Sequence, residues 1–295
     1  MANTTVPTSD GKIPFKVGEE TFETYYKLYG DLANRTRPPL IGLHGGPGLT
    51  HDCIVPLSDL AAFGVPVIIY DQLGNGLSTH LREKPPSFWT VDLFIDELVN
   101  LLNHFNIADA FELVGHSWGG IVGSEFEVRR QPKGLRHLIL SDSLAASSLW
   151  NQSTMQLLQT FPKDVQEGVA GGMKDPVKFY AALKQFHAKY ACTIRPYPPE
   201  FQRSFDAIFG PDGDPTVAAA PILKDWTIIE RLHVVRVPTF VINGRNDIAQ
   251  DFVVAPFFER IKRVKWVTME NSSHTPFWEE RERYMQLVND FLKLE

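Results

Sequence analysis

The 295-residue sequence has few cysteines, no long apolar run and no block of basic charge. Its two cysteines, Cys53 and Cys192, fit neither a metal-binding spacing nor a disulfide framework, which favours a reducing compartment. No apolar run approaches the length of a membrane span, and the N-terminal residues have neither the basic nor the apolar region of a signal peptide. With a formal net charge of −6, nucleic acid is not an expected partner. We expect a cytoplasmic protein that binds a small molecule or short peptide and no membrane, and its oligomeric state stays open.

Short apolar runs alternate with amphipathic stretches along most of the chain. An early antiparallel strand is expected at residues 21–29. The expected buried strands are residues 40–43, 65–70, 111–114, 135–140, 237–242 and 264–269. Helical spacing of apolar residues occurs at residues 93–105, 121–130, 251–261 and 278–292. This alternation predicts an α/β fold with a mostly parallel sheet flanked by helices.

The alternation stops between residues 144 and 232. That stretch contains no clear strand, one expected helix at residues 180–190, and many prolines and aromatic residues. The simplest interpretation is an α/β core formed by residues 1–143 and 233–295, interrupted by a helical insertion at residues 144–232. The aromatic residues of the insertion either line an apolar pocket or pack its own small core.

Ser117 is the candidate nucleophile. It stands in the pattern Gly115-x-Ser117-x-Gly119, between an expected strand and an expected helix. This is the nucleophile elbow, a tight strand-to-helix turn whose glycines prevent collisions where the helix crosses the strand. The alternative is a glycine-rich turn with an ordinary capping serine.

A serine needs a base to accept its proton, and in this architecture the acid and the histidine follow in that order after later strands. His274 follows the last expected strand and is the candidate base. Asp247 follows the strand before it and is the leading acid, which would orient the imidazole. Asp142, at the end of the strand at residues 135–140, is the reserve, and Asp251 is a weaker third choice.

The glycine-rich segment from His44 to Gly48 follows an expected strand and would lie beside the elbow. The backbone N–H groups of Gly46 and Trp118 are the natural donors of an oxyanion hole. A phosphate-binding loop is excluded because no Lys-Ser/Thr follows and no dinucleotide fingerprint is present. The sequence therefore predicts neither a metal nor another cofactor.

Three motifs together resemble the proline iminopeptidase branch of the α/β-hydrolases. They are His44-Gly-Gly-Pro-Gly48, Tyr70-Asp-Gln-Leu-Gly-Asn-Gly-Leu-Ser78 and Gly115-His-Ser-Trp-Gly-Gly120. The resemblance covers nearly the whole chain and implies an α/β-hydrolase fold with a helical cap over the site. It also implies a serine hydrolase that forms an acyl-enzyme, with Ser117, Asp247 and His274 as triad. Members of this branch include prolyl aminopeptidases and amino-acid amidases. Enzymes of the same fold whose nucleophile is an aspartate at the elbow are excluded, because this chain has Ser117 there.

One position departs from that branch. Its aminopeptidases hold the substrate amine with an acid directly after the triad aspartate, where this chain has Ile248. An apolar side chain cannot compensate an ammonium group. Substitutes from the insertion are Asp212, Asp214 and Glu230. An esterase, lactonase or amidase acting without a free amine is therefore an alternative, as are a non-catalytic ligand-binding homologue and a lyase or cyclase that uses the same triad.

Overall fold

The computed structural model describes residues 6–294, so part of the N-terminal stretch in which we expect no signal peptide lies outside it. One sheet crosses the molecule. Its strands are β1 Thr8–Val17, β2 Glu20–Tyr29, β3 Leu40–Leu43, β4 Val67–Tyr70, β5 Phe111–His116, β6 Leu135–Ser141, β7 Thr239–Gly244 and β8 Val264–Met269. Their order is β1-β2-β4-β3-β5-β6-β7-β8. The pairs β1–β2 and β2–β4 are antiparallel and the others are parallel.

Helices cover both faces of this sheet. The helices of the described residues are α1 Val91–His104, α2 Trp118–Arg130, α3 Ser147–Leu158, α4 Lys163–Gly171, α5 Pro176–Tyr190, α6 Pro199–Phe209, α7 Thr216–Ala219, α8 Asp251–Arg260, α9 Pro276–Glu279 and α10 Arg281–Phe291. The sheet is covered by α1, α2, α8, α9 and α10, whereas α3 to α7 lie in the segment between β6 and β7. Phe94 and Trp118 belong to one apolar cluster, and Phe277 and Tyr284 belong to a second. Because strands of a parallel sheet are buried on both faces, they appear in the sequence as continuous apolar runs. The predicted fold class is confirmed.

Several elements differ from the expectation. β1 was not predicted, because most of its residues are exposed and only Ile13 and Phe15 are buried. A 3₁₀ helix at His51–Phe63, with a proline inside it, was also missed. Helix α2 begins at Trp118 rather than residue 121, since two glycines lie within its first turn. The helix expected at residues 278–292 is broken at Glu280 into α9 and α10.

The chain between β6 and β7 is mostly helical and contains α3 to α7. Its two ends meet, because Ala146 and Thr227 form an isolated antiparallel bridge. Beside that bridge the Ser147 N–H donates to the Trp226 carbonyl at 2.9 Å. Helix α6 packs against the 3₁₀ helix of the core, and Thr50 N donates to Ser204 Oγ at 2.8 Å across that contact. The boundaries at residues 144 and 232 stay a prediction.

None of the described helices is long and apolar enough to cross a bilayer.

Candidate active site

The candidate nucleophile Ser117 lies in the turn between β5 and α2. Its backbone has φ 52° and ψ −114°, which residues other than glycine rarely adopt. The turn is this tight because a Cβ atom at Gly115 would lie 2.3 Å from the carbonyl oxygen of Gly119. Strand and helix therefore approach at a distance that only glycine permits. Ser117 is 7 % exposed and lines a cavity at the carboxyl end of the sheet.

The candidate base His274 lies in the loop after β8 and lines the same cavity. Its Nδ1 is 2.6 Å from Oδ1 of Asp247, which follows β7 and is 1 % exposed. The same Asp247 oxygen accepts the Ala249 N–H at 2.8 Å. Because Asp247 accepts from Nδ1–H, the lone pair of His274 is on Nε2, the nitrogen that a serine base needs.

The two reserve acids have other partners. Asp142 follows β6 and is fully buried, and its Oδ2 accepts the Ser141 hydroxyl at 2.7 Å. Asp251 begins α8, where its carboxylate accepts from Asn243 Nδ2 at 3.0 Å and from Arg245 at 3.1 Å. Of the three candidate acids, Asp247 is the one hydrogen-bonded to His274.

His116 is hydrogen-bonded to the backbone of the candidate base His274. Its Nε2 donates to the backbone carbonyl of His274 at 2.9 Å, and the two rings lie 4.9 Å apart. Burial lowers the pKa of His116 well below its usual value, and the neighbouring His274 adds to this, so the ring is neutral. This role of His116 was not predicted from the sequence, where its position directly before Ser117 is the one local signal for it.

The glycine-rich loop after β3 lies against the elbow. Gly46 has φ 124° and lines the cavity beside Ser117. Trp118 is the first residue of α2, so its N–H has no partner within the helix. Its indole N–H donates to Gln72 Oε1 at 2.8 Å, and the Gln72 N–H donates to His44 Nε2 at 3.1 Å. The three sequence motifs are thus joined by hydrogen bonds around one site.

The cavity is apolar and has a volume of about 290 Å³. Five aromatic residues of the helical segment between β6 and β7 line it: Trp150, Phe179, Phe201, Phe205 and Phe209. Others, such as Phe186 and Tyr190, pack in a small apolar cluster formed mostly by the helical segment between β6 and β7, so both alternatives for these aromatics apply. His187 is part of the lining, and burial lowers its pKa to about 3, which keeps its ring neutral.

A second, smaller space of about 180 Å³ also touches Ser117, and Ser147 and Asn151 supply polar groups there. Among residues 6–294, the linings of these two spaces include no acidic residue. Ile248 lines the larger one. Of the suggested substitutes, Asp214 binds His80 at 2.6 Å, while the side chain of Glu230 is 84 % exposed.

One group of described residues has the composition of a metal site. Ligand atoms of Asp142, Asp247 and His274 lie within 4.8 Å of one another. The Nδ1 atom of His274 and Oδ1 of Asp247 already form a short hydrogen bond, however. A metal ion would have to replace this bond, so the donor set fits an acid–histidine pair better than a metal centre.

Comparisons with known proteins agree with this architecture. The model of the α/β hydrolase fold family matches residues 38–281. The chain is 30 % identical to a proline iminopeptidase of Clostridium botulinum, over 92 % of this chain and 94 % of the relative.

Two solved structures are also similar. In the crystal structure of VinJ, the sequence is 40 % identical to this chain and the TM-score is 0.89, and the match covers 97 % of this chain and 99 % of that one. A proline iminopeptidase of Mycobacterium smegmatis is 31 % identical with a TM-score of 0.81, covering 96 % and 97 %. The resemblance inferred from the three motifs is therefore confirmed.

Proposed function

Because the chain belongs to the α/β hydrolase family, we propose that it is a serine hydrolase of the proline iminopeptidase type, with Ser117, His274 and Asp247 as catalytic triad. It would cleave an amide or ester bond through an acyl-enzyme. The observation that carries this proposal is the 2.6 Å bond between His274 Nδ1 and Asp247 Oδ1, beside a cavity that His274 shares with the strained Ser117. The names of the relatives favour a peptidase.

In the first half of the reaction, His274 Nε2 takes the hydroxyl proton of Ser117 as Oγ attacks the substrate carbonyl carbon. Asp247 stabilises the imidazolium that forms and takes no proton. The carbonyl oxygen becomes an oxyanion, for which the N–H groups of Gly46 and Trp118 are the proposed donors. His274 then gives its proton to the leaving amine or alcohol, and the acyl group stays on Ser117.

The second half uses the same groups on water. His274 takes a proton from water, whose oxygen attacks the acyl carbon, and returns the proton to Ser117 Oγ as the acid leaves. His116 supports both halves, since it fixes the backbone carbonyl of His274.

We also propose that residues 144–232 act as a cap. Their aromatic side chains supply much of the lining of the cavity, and Ser117 lines the same cavity from the turn after β5. The cap would therefore define the space for the substrate, while the core supplies the reacting groups.

The experiment compares Ser117→Ala with the control Ser124→Ala. Ser124 is a second buried serine, in α2, and its hydroxyl donates to the Ile121 carbonyl. A fluorophosphonate probe should label the wild type and Ser124→Ala but not Ser117→Ala. Hydrolysis of prolyl p-nitroanilide or p-nitrophenyl acetate should fall about 10⁶-fold in Ser117→Ala, as for loss of a triad serine. Full labelling or full turnover in Ser117→Ala would refute the assignment.

A second candidate keeps this mechanism but acts on a substrate without a free amine, such as an ester, a lactone or an acylated amide. It is favoured by the absence of acidic residues from the lining formed by residues 6–294 and by Ile248 in that lining. An ammonium group there would be buried without a counter-charge.

A further inference from the structure

Two buried carboxyl groups meet behind the candidate base. Asp142 follows β6 and Asp247 follows the adjacent β7, with exposures of 0 % and 1 %. A carboxylate oxygen of each lies within 4.8 Å of the other and of a ring nitrogen of His274. The pair is therefore close enough for one carboxyl group to affect the charge and the orientation of the other.

The hydrogen bonds of this pair leave one oxygen on each side without a donor. Asp247 Oδ1 accepts from His274 Nδ1 at 2.6 Å and from Ala249 N at 2.8 Å. Asp142 Oδ2 accepts from Ser141 Oγ at 2.7 Å. Among the described residues, no N–H or hydroxyl donor reaches Asp142 Oδ1 or Asp247 Oδ2, although both oxygens are buried. One proton between these two oxygens would satisfy both.

Electrostatics decides which group carries that proton. Two carboxylates this close in a buried site cannot both be ionised at low cost. Burial raises the pKa of Asp142 well above its usual value, and the charge of Asp247 adds to the rise. Glu279 acts in the same direction, while the Ser141 hydroxyl opposes it. Tyr284 of α10 faces the same cluster, and burial keeps its phenol protonated.

We propose that Asp142 is a positioning residue of the active site, whose carboxyl group stays protonated and donates from Oδ1 to Oδ2 of Asp247. This inference rests on the proposed triad. The bond fixes the plane of the Asp247 carboxylate, so that its other oxygen faces His274 Nδ1. It also supplies a donor to the anion, which keeps the charge on Asp247 rather than on its neighbour.

Two substitutions separate the donor from the backbone at this position. Asp142 has φ 53°, a conformation that asparagine tolerates and glycine adopts freely, so Asp142→Asn and Asp142→Gly both preserve the turn. Asparagine keeps an N–H donor toward Asp247, whereas glycine removes it. We expect Asp142→Asn to react with a fluorophosphonate probe at nearly the wild-type rate. Asp142→Gly should react about 10- to 100-fold more slowly, as on loss of an outer hydrogen-bond partner.

A spectroscopic measurement tests the proton itself. At neutral pH, the infrared difference spectrum of wild type minus Asp142→Asn should contain the carbonyl stretch of a neutral carboxylic acid. A structural role without a proton predicts only a carboxylate band. Thermal unfolding of each variant shows whether a slower reaction reflects a loss of folded protein, and the infrared result stands even if Asp142→Gly does not fold.

The outcomes distinguish the inference from the proposed function. A wild type that the probe does not label at Ser117 overturns the proposed function. A labelled wild type without the acid band, or an Asp142→Asn variant as slow as Asp142→Gly, overturns the inference alone. Loss of labelling in EDTA, restored by a divalent metal, would place a cation between the carboxylates and would also overturn it.

Discussion

Gly119 lies where the first turn of α2 passes the end of β3. A Cβ atom there would be 2.1 Å from the Leu43 carbonyl oxygen and 2.8 Å from that of His44. These are backbone atoms that cannot rotate away, so Gly119→Ala should lower the free energy of unfolding by about 3 kcal/mol, the upper end for overpacking. Urea unfolding at neutral pH measures this.

The matched control is Gly171→Ala at the end of α4. This glycine has φ −66°, and a Cβ atom there would meet nothing within 4 Å. Alanine should leave the stability unchanged or raise it by up to ~1 kcal/mol. Equal unfolding free energies of Gly119→Ala and Gly171→Ala would show that the close approach at the elbow has no energetic consequence.

The triad candidates could be chosen from the sequence because their pattern is local. Ser117 has its glycines beside it, and Asp247 and His274 each follow a short apolar run. The pairing of Asp142 with Asp247 could not be predicted, because it depends on β6 and β7 being neighbours and on the direction of two side chains. The bond from His116 to the His274 carbonyl joins residues 158 positions apart and had no local signal of comparable strength.

Among the contacts between elements, the side chain of Glu125 connects α2 with Trp226 and Arg231, which lie shortly before β7. This buried side chain accepts from Nη1 and Nη2 of Arg231, from Nε of Arg129 and from the Trp226 indole N–H. Burial opposes ionisation of this carboxyl, but the hydrogen bonds from these three residues outweigh it and lower its pKa. The ionised group therefore stabilises the folded state.

Glu125→Gln should lower the free energy of unfolding at pH 7 by about 2 kcal/mol, typical for loss of hydrogen bonds to a charged group. Because the pKa of Glu125 is lower in the folded state, the stabilisation is present at neutral pH. It should shrink as the pH falls below about 4.3, where the unfolded chain takes up the proton. Urea unfolding of the wild type and Glu125→Gln at several pH values measures the difference.

Exposed Glu259 of α8 is the control, and Glu259→Gln should change the free energy of unfolding by less than about 0.5 kcal/mol. A constant difference across the pH range would contradict the role given to the charge.

Uniform burial made some strands easy to predict, although the only partly buried β8 was predicted as well. β3 and β4 are buried along their whole length and appear as short runs without a polar side chain. β1 was missed because it lies at the edge of the sheet and exposes one face, so that its apolar signal is limited to Ile13, Phe15 and Val17 at its end. The start of α2 was misplaced because its glycines, which the close packing requires, are poor helix formers.

Across the whole molecule, the cavity forms where the helical segment between β6 and β7 meets the loops at the carboxyl end of the sheet, and both parts contribute apolar side chains to its lining. Ile248 follows β7 and lines the cavity, and it packs with Phe186 and Val165 of the helical segment between β6 and β7. Neither sequence segment alone defines the space, which is why the sequence could name aromatic residues but could not assign them to a lining or to a core.

Ile248→Glu should place a carboxylate in this lining. We expect it to raise the ratio of kcat/KM for prolyl p-nitroanilide to that for its N-acetylated form by about 10-fold or more, as for one charge-assisted hydrogen bond. Ile248→Gln should leave this ratio near that of the wild type. Because the ratio is taken within one variant, a loss of folded protein cancels.

The wild-type ratio decides between the two proposed substrate classes. A strict requirement for the free amine supports the peptidase and shows that neutral groups suffice to bind it. A ratio near one supports a substrate without an amine. An unchanged ratio in Ile248→Glu would show that the substrate amine does not approach this position.

The bridge between Ala146 and Thr227 has a consequence for how such a protein can change over evolutionary time. A long segment whose two ends are already hydrogen-bonded neighbours imposes no span on the sheet that carries it. The entropy of closing a loop grows only with the logarithm of its length, by roughly 0.6 kcal/mol per doubling. The segment can thus be lengthened, shortened or exchanged between relatives as a unit, which would alter the cavity while the candidate catalytic residues at the end of the sheet keep their places.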